Sequence, residues 1–525
     1  MNGDIKLIRL SKQKPEEPRL PKFITIVNPV RPRYLWNNQS AKVISSQLKQ
    51  ITDRNLNATW LLSYESLFDQ ELLGLLNGQK DQEIGAFLEV SEKWATDARV
   101  LYKVAIGDYY RPDKLFLSGY TPQDRQKLIK TYFDKFHTIF GKDPQSVGGW
   151  YIDANSQVYL SKLGVKSALT VADQYDTDAA SVWGKYWGMP FYPSKLNTLE
   201  PAINQSNKIP IVNIQWAQRD PVLGYGKEIK DSRQSFQAND YISNGYNTNY
   251  FVTLLDDYLA NSKNNDFIQI TIGLEAGQEA QRFSEEFAKQ LDILEAMQKS
   301  EGLAIVTMSN FANWYREKYP GISPAHLLKK SENFWYMSPK FRVAVFKEDS
   351  SYFLKDLRYY SQMPFKDFFY ADENQYLNRK VPAIIDNLML ANQINLGSVK
   401  KLEILEKFDR LILILDNREV QISTSSITTN GQDIVKPSAQ ENNLNKKKLT
   451  LLTFYNKAVS PVKSVLKIIK YSRIDSMPVF GLSIPGSKLL GFKSYTPGIF
   501  SFEFQSFSKF LSPFDLFEGW QPWIN

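Results

Sequence analysis

Five acidic residues stand at or just past the ends of apolar runs: Glu65, Glu89, Asp153, Asp173 and Glu275. Asp176, Asp178 and Asp220 follow in adjoining polar stretches. Two carboxyl groups facing each other can hydrolyse a glycosidic bond without a metal. One protonates the leaving oxygen, and the other attacks the anomeric carbon or activates water; separations of ~5–5.5 Å and ~6.5–9.5 Å distinguish retention from inversion. The pair expected to act is Asp153 and Glu275, with Asp173 beside them. Trp150 and Trp216 are the indoles expected to desolvate one carboxyl and raise its pKa. Sugar faces stack on aromatic rings, so Trp150, Trp183, Trp187 and Trp216 are expected to touch substrate. Asn28, Arg31, Glu89, Arg219 and Asp220 complete the expected binding set. Arg31, Arg33 and Arg219 fit two roles equally: holding an acidic substituent, or pairing with the acids inside the protein. Each acid also has the alternative role of capping a helix.

The elements that must position these residues repeat regularly. Residues 146–194 set the pattern: an apolar run with two glycines (147–152), a helical spacing (155–164) ending at Gly164, a second apolar run (165–172), then acids and a tryptophan-rich loop. Similar runs at 23–28, 58–64, 83–90, 209–217, 267–274 and 303–308 are separated by amphipathic stretches at 40–54, 66–76, 121–141, 247–262 and 283–300. Thr121-Pro122 is a strong helix start, and Gly141 a strong stop. Residues 94–119 read as a long loop over the mouth. Eight apolar strands alternating with helices predict an α/β fold, a (β/α)7–8 barrel over residues 23–322. Beyond residue 331 the helical spacing ceases, and short strand-like runs predict an all-β accessory domain over 335–525. Residues 1–22 read as a flexible N-terminal tail, and 424–448 as a mobile excursion.

Composition narrows the function further. The chain has 525 residues, 43% of them hydrophobic and 23% charged, which fits a globular protein with a sizeable core. The net charge of +8 comes without a dense basic stripe, which argues against a nucleic-acid partner. Cysteine is absent, which excludes disulfides, thiolate metal sites and cysteine nucleophiles. His137 and His326 are the only histidines, too few for a multi-histidine metal site. No run approaches the ~18 apolar residues of a membrane helix. Lack of cysteine and abundance of aromatics favour an extracytoplasmic or cell-surface location, although Lys6 and Arg9 break any apolar leader at residues 5–10.

Three blocks together resemble a family. Trp150-Tyr151-Ile152-Asp153 followed by Tyr159-Leu160-Ser161-Lys162-Leu163-Gly164 resembles the third motif region of polysaccharide deacetylases of the NodB-homology type. Gln82-Glu83-Ile84-Gly85 resembles the opening of that family's second motif, and residues 303–312 its closing strand. The broader likeness extends to glycoside hydrolase family 57. The resemblance implies a carbohydrate-active β/α barrel. Active members bind a divalent metal through an aspartate and two histidines. Here Asn28-Pro29 stands where paired aspartates are found, Gln82 where the first histidine would be, Phe87 or a neighbour where the second would be, and Leu274-Glu275 where a late histidine is expected. Amides and phenyl rings cannot replace imidazole ligands. No metal and no cofactor are therefore expected. The expected partner is a glycan or polysaccharide, either hydrolysed by carboxylates or bound by a catalytically degenerate barrel.

Overall fold

The computed structural model describes residues 6–9, 20–33, 41–104, 112–170, 188–216, 218–225, 233–277, 280, 282–360, 393–407, 410–423, 427–429, 432–435, 473–474, 477–478, 480–482, 488–495 and 499–506. They divide into two compact units, one covering Pro18–Leu328 and the other built from Lys329–Ser361, later strands and a strand near the N-terminus.

The first unit is a nearly closed parallel barrel. Its strands are β2 (Lys22–Val30), β3 (Ala58–Leu62), β4 (Gln82–Phe87), β5 (Ser146–Gly148), β6 (Ser167–Thr170), β7 (Val212–Gln215) and β8 (Ile268–Ile272), hydrogen-bonded in the order β7-β6-β5-β4-β3-β2-β8. The two-residue β9 (Ala304–Ile305) pairs with Phe23 and Ile24 at the start of β2. Every residue of β3 and β8 is buried, as is usual for parallel strands covered on both faces. β7 and β8 are the two ends of the sheet, and a side chain spans the gap between them. Gln218, just past β7, donates from Nε2 to the Gln269 carbonyl (3.2 Å) and accepts from the Thr271 amide (2.9 Å). A carboxamide thus makes the two bonds that a neighbouring strand would make.

The floor of the barrel is polar and satisfied. Glu83 accepts from Thr59 Oγ1 (3.0 Å), Ser146 Oγ (2.6 Å) and the Ser309 amide (3.1 Å), and the Met308 amide donates to Thr59 Oγ1 (3.0 Å). A carboxylate at this end meets the exposed amides at a helix start.

Helices cover the outside: α1 (Lys42–Thr52), α2 (Gln70–Leu76), α3 (Glu92–Asp97), α4 (Pro112–Leu115), α5 (Pro122–Phe140), α6 (Ala154–Lys162), α7 (Ala238–Ser243), α8 (Thr248–Ala260), α9 (Ser284–Glu301) and α10 (Met308–Lys318). α5 shows how the sequence builds them. Thr121 Oγ1 caps the Asp124 amide, Pro122 occupies the first turn, and Gly141 ends the helix at φ 68°. Its buried face includes Leu128, Ile129, Tyr132 and Phe136, and Tyr132 donates to the Leu62 carbonyl at the end of β3 (2.6 Å). Among the described residues no helix is long and apolar enough to cross a membrane. Two expectations are corrected here. The stretch 94–119 is not one loop, because Ser91 caps α3 through the Trp94 amide and a second short helix follows. The run 303–308 gives only β9, because Thr307 caps α10 and diverts the chain into a helix.

Closure also depends on Gly273, directly after β8. A Cβ there would lie 1.8 Å from the Val27 carbonyl oxygen of β2, so any larger residue must push the two strands apart. Gly273→Ala is expected to lose roughly 3 kcal/mol of stability, at the upper end for overpacking, as read from urea unfolding.

The second unit is all-β. One antiparallel sheet runs through β10 (His326–Lys330), β11 (Asn333–Met337), β12 (Phe341–Glu348), β13 (Ser351–Tyr359) and β14 (Ile394–Ser398). A second sheet joins β15 (Leu402–Lys407), β16 (Arg410–Leu415), β17 (Arg418–Ser423), β18 (Ile427–Thr429) and β19 (Gln432–Val435), and β1 (Lys6–Arg9) adds to β15 in parallel. β1 corrects the expected tail, and β18 and β19 correct the first part of the expected excursion; residues 436–448 lie outside the described residues. β22 (Phe480–Leu482), β23 (Lys488–Tyr495) and β24 (Ile499–Ser506) form a third, antiparallel sheet, preceded by the paired β20 (Arg473–Ile474) and β21 (Met477–Pro478).

Candidate functional site

The C-terminal ends of the parallel strands bring five predicted residues to one place. Arg31 leaves β2, Glu89 follows β4, Trp150 follows β5, Trp216 follows β7 and Glu275 follows β8. Arg31 is the centre. Its Nη2 donates to Glu89 Oε1 (2.9 Å), and its Nη1 lies 3.2 Å from Glu275 Oε2. Trp150 Nε1 donates to the same Glu89 oxygen (2.8 Å). The guanidinium lies 5.4 Å from the Trp150 ring and 5.9 Å from the Phe87 ring, within range of cation–π attraction. Trp216 meets Trp150 edge-on at 6.0 Å.

Backbone contacts fix this arrangement. Leu88 N donates to the Gly148 carbonyl (2.7 Å) and Ala276 N to the Pro29 carbonyl (2.8 Å), which set Glu89 and Glu275 in register with neighbouring strands. Asn28 Oδ1 accepts from Gln47 Nε2 (2.9 Å) and from the Leu274 amide (3.4 Å). Asn28 is fully buried, so the residue expected to bind substrate instead holds the chain just before Glu275.

Charge explains the site's behaviour. Arg31 carries one positive charge between two carboxyl groups. Burial pushes the Glu275 carboxyl above the usual carboxylate range; Glu89 and Asp240 add to this, and Arg31 opposes it. Glu65, also at a strand end, is pushed up by burial as well, moderated by a hydrogen bond from Ser91. Tyr102 is pushed up to about 12 by burial and by Glu65, Glu92 and Glu89.

The remaining predicted residues lie elsewhere or serve the fold. Asp153 caps α6, accepting from the Ser156 amide (3.0 Å) and Ser156 Oγ (2.6 Å), and pairs with buried Arg125 at 2.6 Å. It does not face Glu275 as a free carboxylate. Arg219 is fully buried against Asp240 (3.1 Å), and Asp220 Oδ1 caps the turn at Val222 and Leu223 (2.9 Å each). Neither points a free group at the mouth. Arg33 is held by Asp69 and Glu71. Trp150 and Trp216 are buried and act as walls, not as open stacking faces. Asp173, Asp176, Asp178, Trp183 and Trp187 lie outside the described residues. Sequence reasoning gave Phe87 only as a lost ligand position and missed Arg125; the placing of Arg125 three residues before Leu128, on the apolar face of α5, was the signal available.

The donor set does not fit the divalent metal that the family resemblance implies. Gln82 is the first residue of β4, where Oε1 accepts from Trp60 Nε1 (3.0 Å) and Nε2 donates to the Leu56 carbonyl (2.9 Å). That places it a strand length, about 20 Å, from Glu89. His137 is exposed and bonds Asp143 (2.9 Å), and His326 is buried edge-on against Phe267. Where two carboxyl groups do converge, a guanidinium already sits between them. A divalent ion there would have to displace Arg31 or repel it at close range.

Comparison with known proteins finds distant similarity. Residues 102–325 match a domain family of unknown function with a solved structure, DUF3863. No curated protein matches the chain. Among solved structures, the chain is similar to a protein from Parabacteroides distasonis provisionally described as a glycoside hydrolase/deacetylase (16% identity, 67% of this chain and 88% of that one, TM-score 0.46). It is also similar to a protein from Mycobacterium smegmatis provisionally described as a polysaccharide deacetylase (9%, 59% and 94%, 0.36). A third is a GH57-type branching enzyme from the archaeon Pyrococcus horikoshii (10%, 55% and 70%, 0.34). The relationship is a distant structural one.

Proposed function

We propose that this protein acts on a glycan at the strand-end cluster and cleaves it by a metal-independent, two-carboxyl mechanism. Glu275 is the general acid and Glu89 its partner. The observation that carries the reading is Arg31 bridging Glu89 and Glu275. Two contacts to one guanidinium keep the carboxyl oxygens no more than about 8 Å apart, within the upper limit of separation for two-carboxyl hydrolysis. Burial favours the neutral form of Glu275, while Glu89 accepts hydrogen bonds from Arg31 and Trp150. In the cleavage step the Glu275 proton passes to the leaving glycosidic oxygen as its bond to the anomeric carbon breaks. Glu89 attacks that carbon or takes a proton from the attacking water.

One observation favours a second reading, glycan binding without turnover. Glu89 is 5% exposed, and both carboxyl groups lean on the same arginine. A glycan panel with binding and product release read separately, with and without EDTA, decides between them. The expected result is release of reducing ends unaffected by EDTA. Binding without release supports the second reading, and release abolished by EDTA overturns the metal-independent assignment.

A further inference from the structure

A second feature on the same rim has no part in the Arg31 cluster. Helix α8 leads through a short turn into the base of β8, so its first turn lies at the C-terminal face of the barrel, about 20 Å from its last. Tyr250 is in that first turn, and Tyr246 precedes the helix. Their rings stack at 4.7 Å with planes 21° apart, and Tyr246 is 38% exposed. One aromatic face is therefore backed by protein while the side chain remains open to solvent.

The polar groups beside the pair are incompletely used. Gln234 donates from Nε2 to the Tyr246 hydroxyl (3.1 Å), yet its Oε1 is buried with no partner among the described residues. The Tyr250 hydroxyl is likewise buried and without a partner there. Each unmade bond costs stability. The Asp240 charge acts on both Tyr250 and Glu275.

We propose that Tyr246 and Tyr250 form an outer subsite that stacks a neutral pyranose ring two or more residues away from the sugar held at Glu275. The ligand is then an oligosaccharide, not a monosaccharide or disaccharide; this rests on the glycan reading above. Ring carbons lie on the exposed Tyr246 face. A cationic or strongly acidic ring is not selected, since the stack itself carries no charge.

Calorimetric titration of the full chain with cellohexaose, chitohexaose, xylohexaose and laminarihexaose, and with the matching disaccharides, tests the subsite. For the hexasaccharide that wild type binds, Tyr246→Ala is expected to weaken binding about tenfold, equivalent to ~1.4 kcal/mol, while leaving the disaccharide unchanged. Tyr246→Trp, which keeps a stacking face, is expected to retain hexasaccharide affinity. Hexasaccharide binding unaffected by Tyr246→Ala overturns the subsite alone, as does an equal loss for both lengths. A wild-type protein that binds none of the hexasaccharides overturns both the subsite and the glycan reading.

Discussion

Glu275→Gln should lose about 10²–10⁴-fold in the rate of glycan cleavage while still binding the glycan. Glutamine keeps the shape and the contact with Arg31 but has no proton to give. The wild-type rate should fall as pH rises through the raised Glu275 value, because only the neutral acid protonates the leaving oxygen. A readout independent of any substrate exists as well. A carboxyl whose pKa is higher in the folded state binds more protons when folded than when unfolded. Stability must then fall with rising pH, starting at the ordinary glutamate value and ending at the raised folded value. In Glu275→Gln that component of the slope disappears. Urea midpoints measured across this pH window for both proteins check it, and parallel pH profiles would mean that Glu275 titrates normally.

That Glu275 and Glu89 share Arg31 could not be read from spacing, because the three residues lie 58 or more positions apart and meet only through barrel closure. The barrel itself was legible. β2, β3 and β8 are buried along nearly their whole length, so they read as continuous apolar runs in the sequence. The caps of α5 were also plain, since Thr, Pro and Gly each impose local geometry at a fixed position. Short strands were not legible. β1 is four residues with a charge at each end, and only pairing with β15 makes it a strand. β18 and β19 lie in a polar stretch whose neighbours decide its pairing, as is common where strand preference depends on context. The candidate site was half legible: residue types at strand ends pointed to the face where Arg31, Glu89 and Glu275 meet, but burial decided which groups remain available. Trp150 and Trp216 have the composition of a sugar platform and the position of a wall. Gln82 has motif resemblance at the wrong end of its strand, because a four-residue match carries no information on where the strand begins.

Asp153 is the residue where the catalytic and structural readings separate most cleanly. Asp153→Ala should destabilise the barrel unit by about 4–6 kcal/mol, from a broken buried ion pair and a lost helix cap. The Arg125 side chain is 3% exposed, and its other nitrogens are committed to the carbonyls of Tyr120 (2.7 Å) and Ser118 (2.8 Å). It therefore cannot swing into water when its counter-charge is removed, and the uncompensated guanidinium stays buried. Asp153→Asn retains an oxygen to accept from the Ser156 amide, so it should lose less than the alanine variant, with the difference reporting the cap. Urea unfolding of wild type and the two variants measures the order. A catalytic Asp153 would give the opposite pattern: alanine as stable as wild type, with cleavage abolished. The sequence already carried half of this answer, since an aspartate directly before a helical run is a standard N-cap. The other half, a buried arginine 28 positions earlier on α5, needed the fold to bring it there.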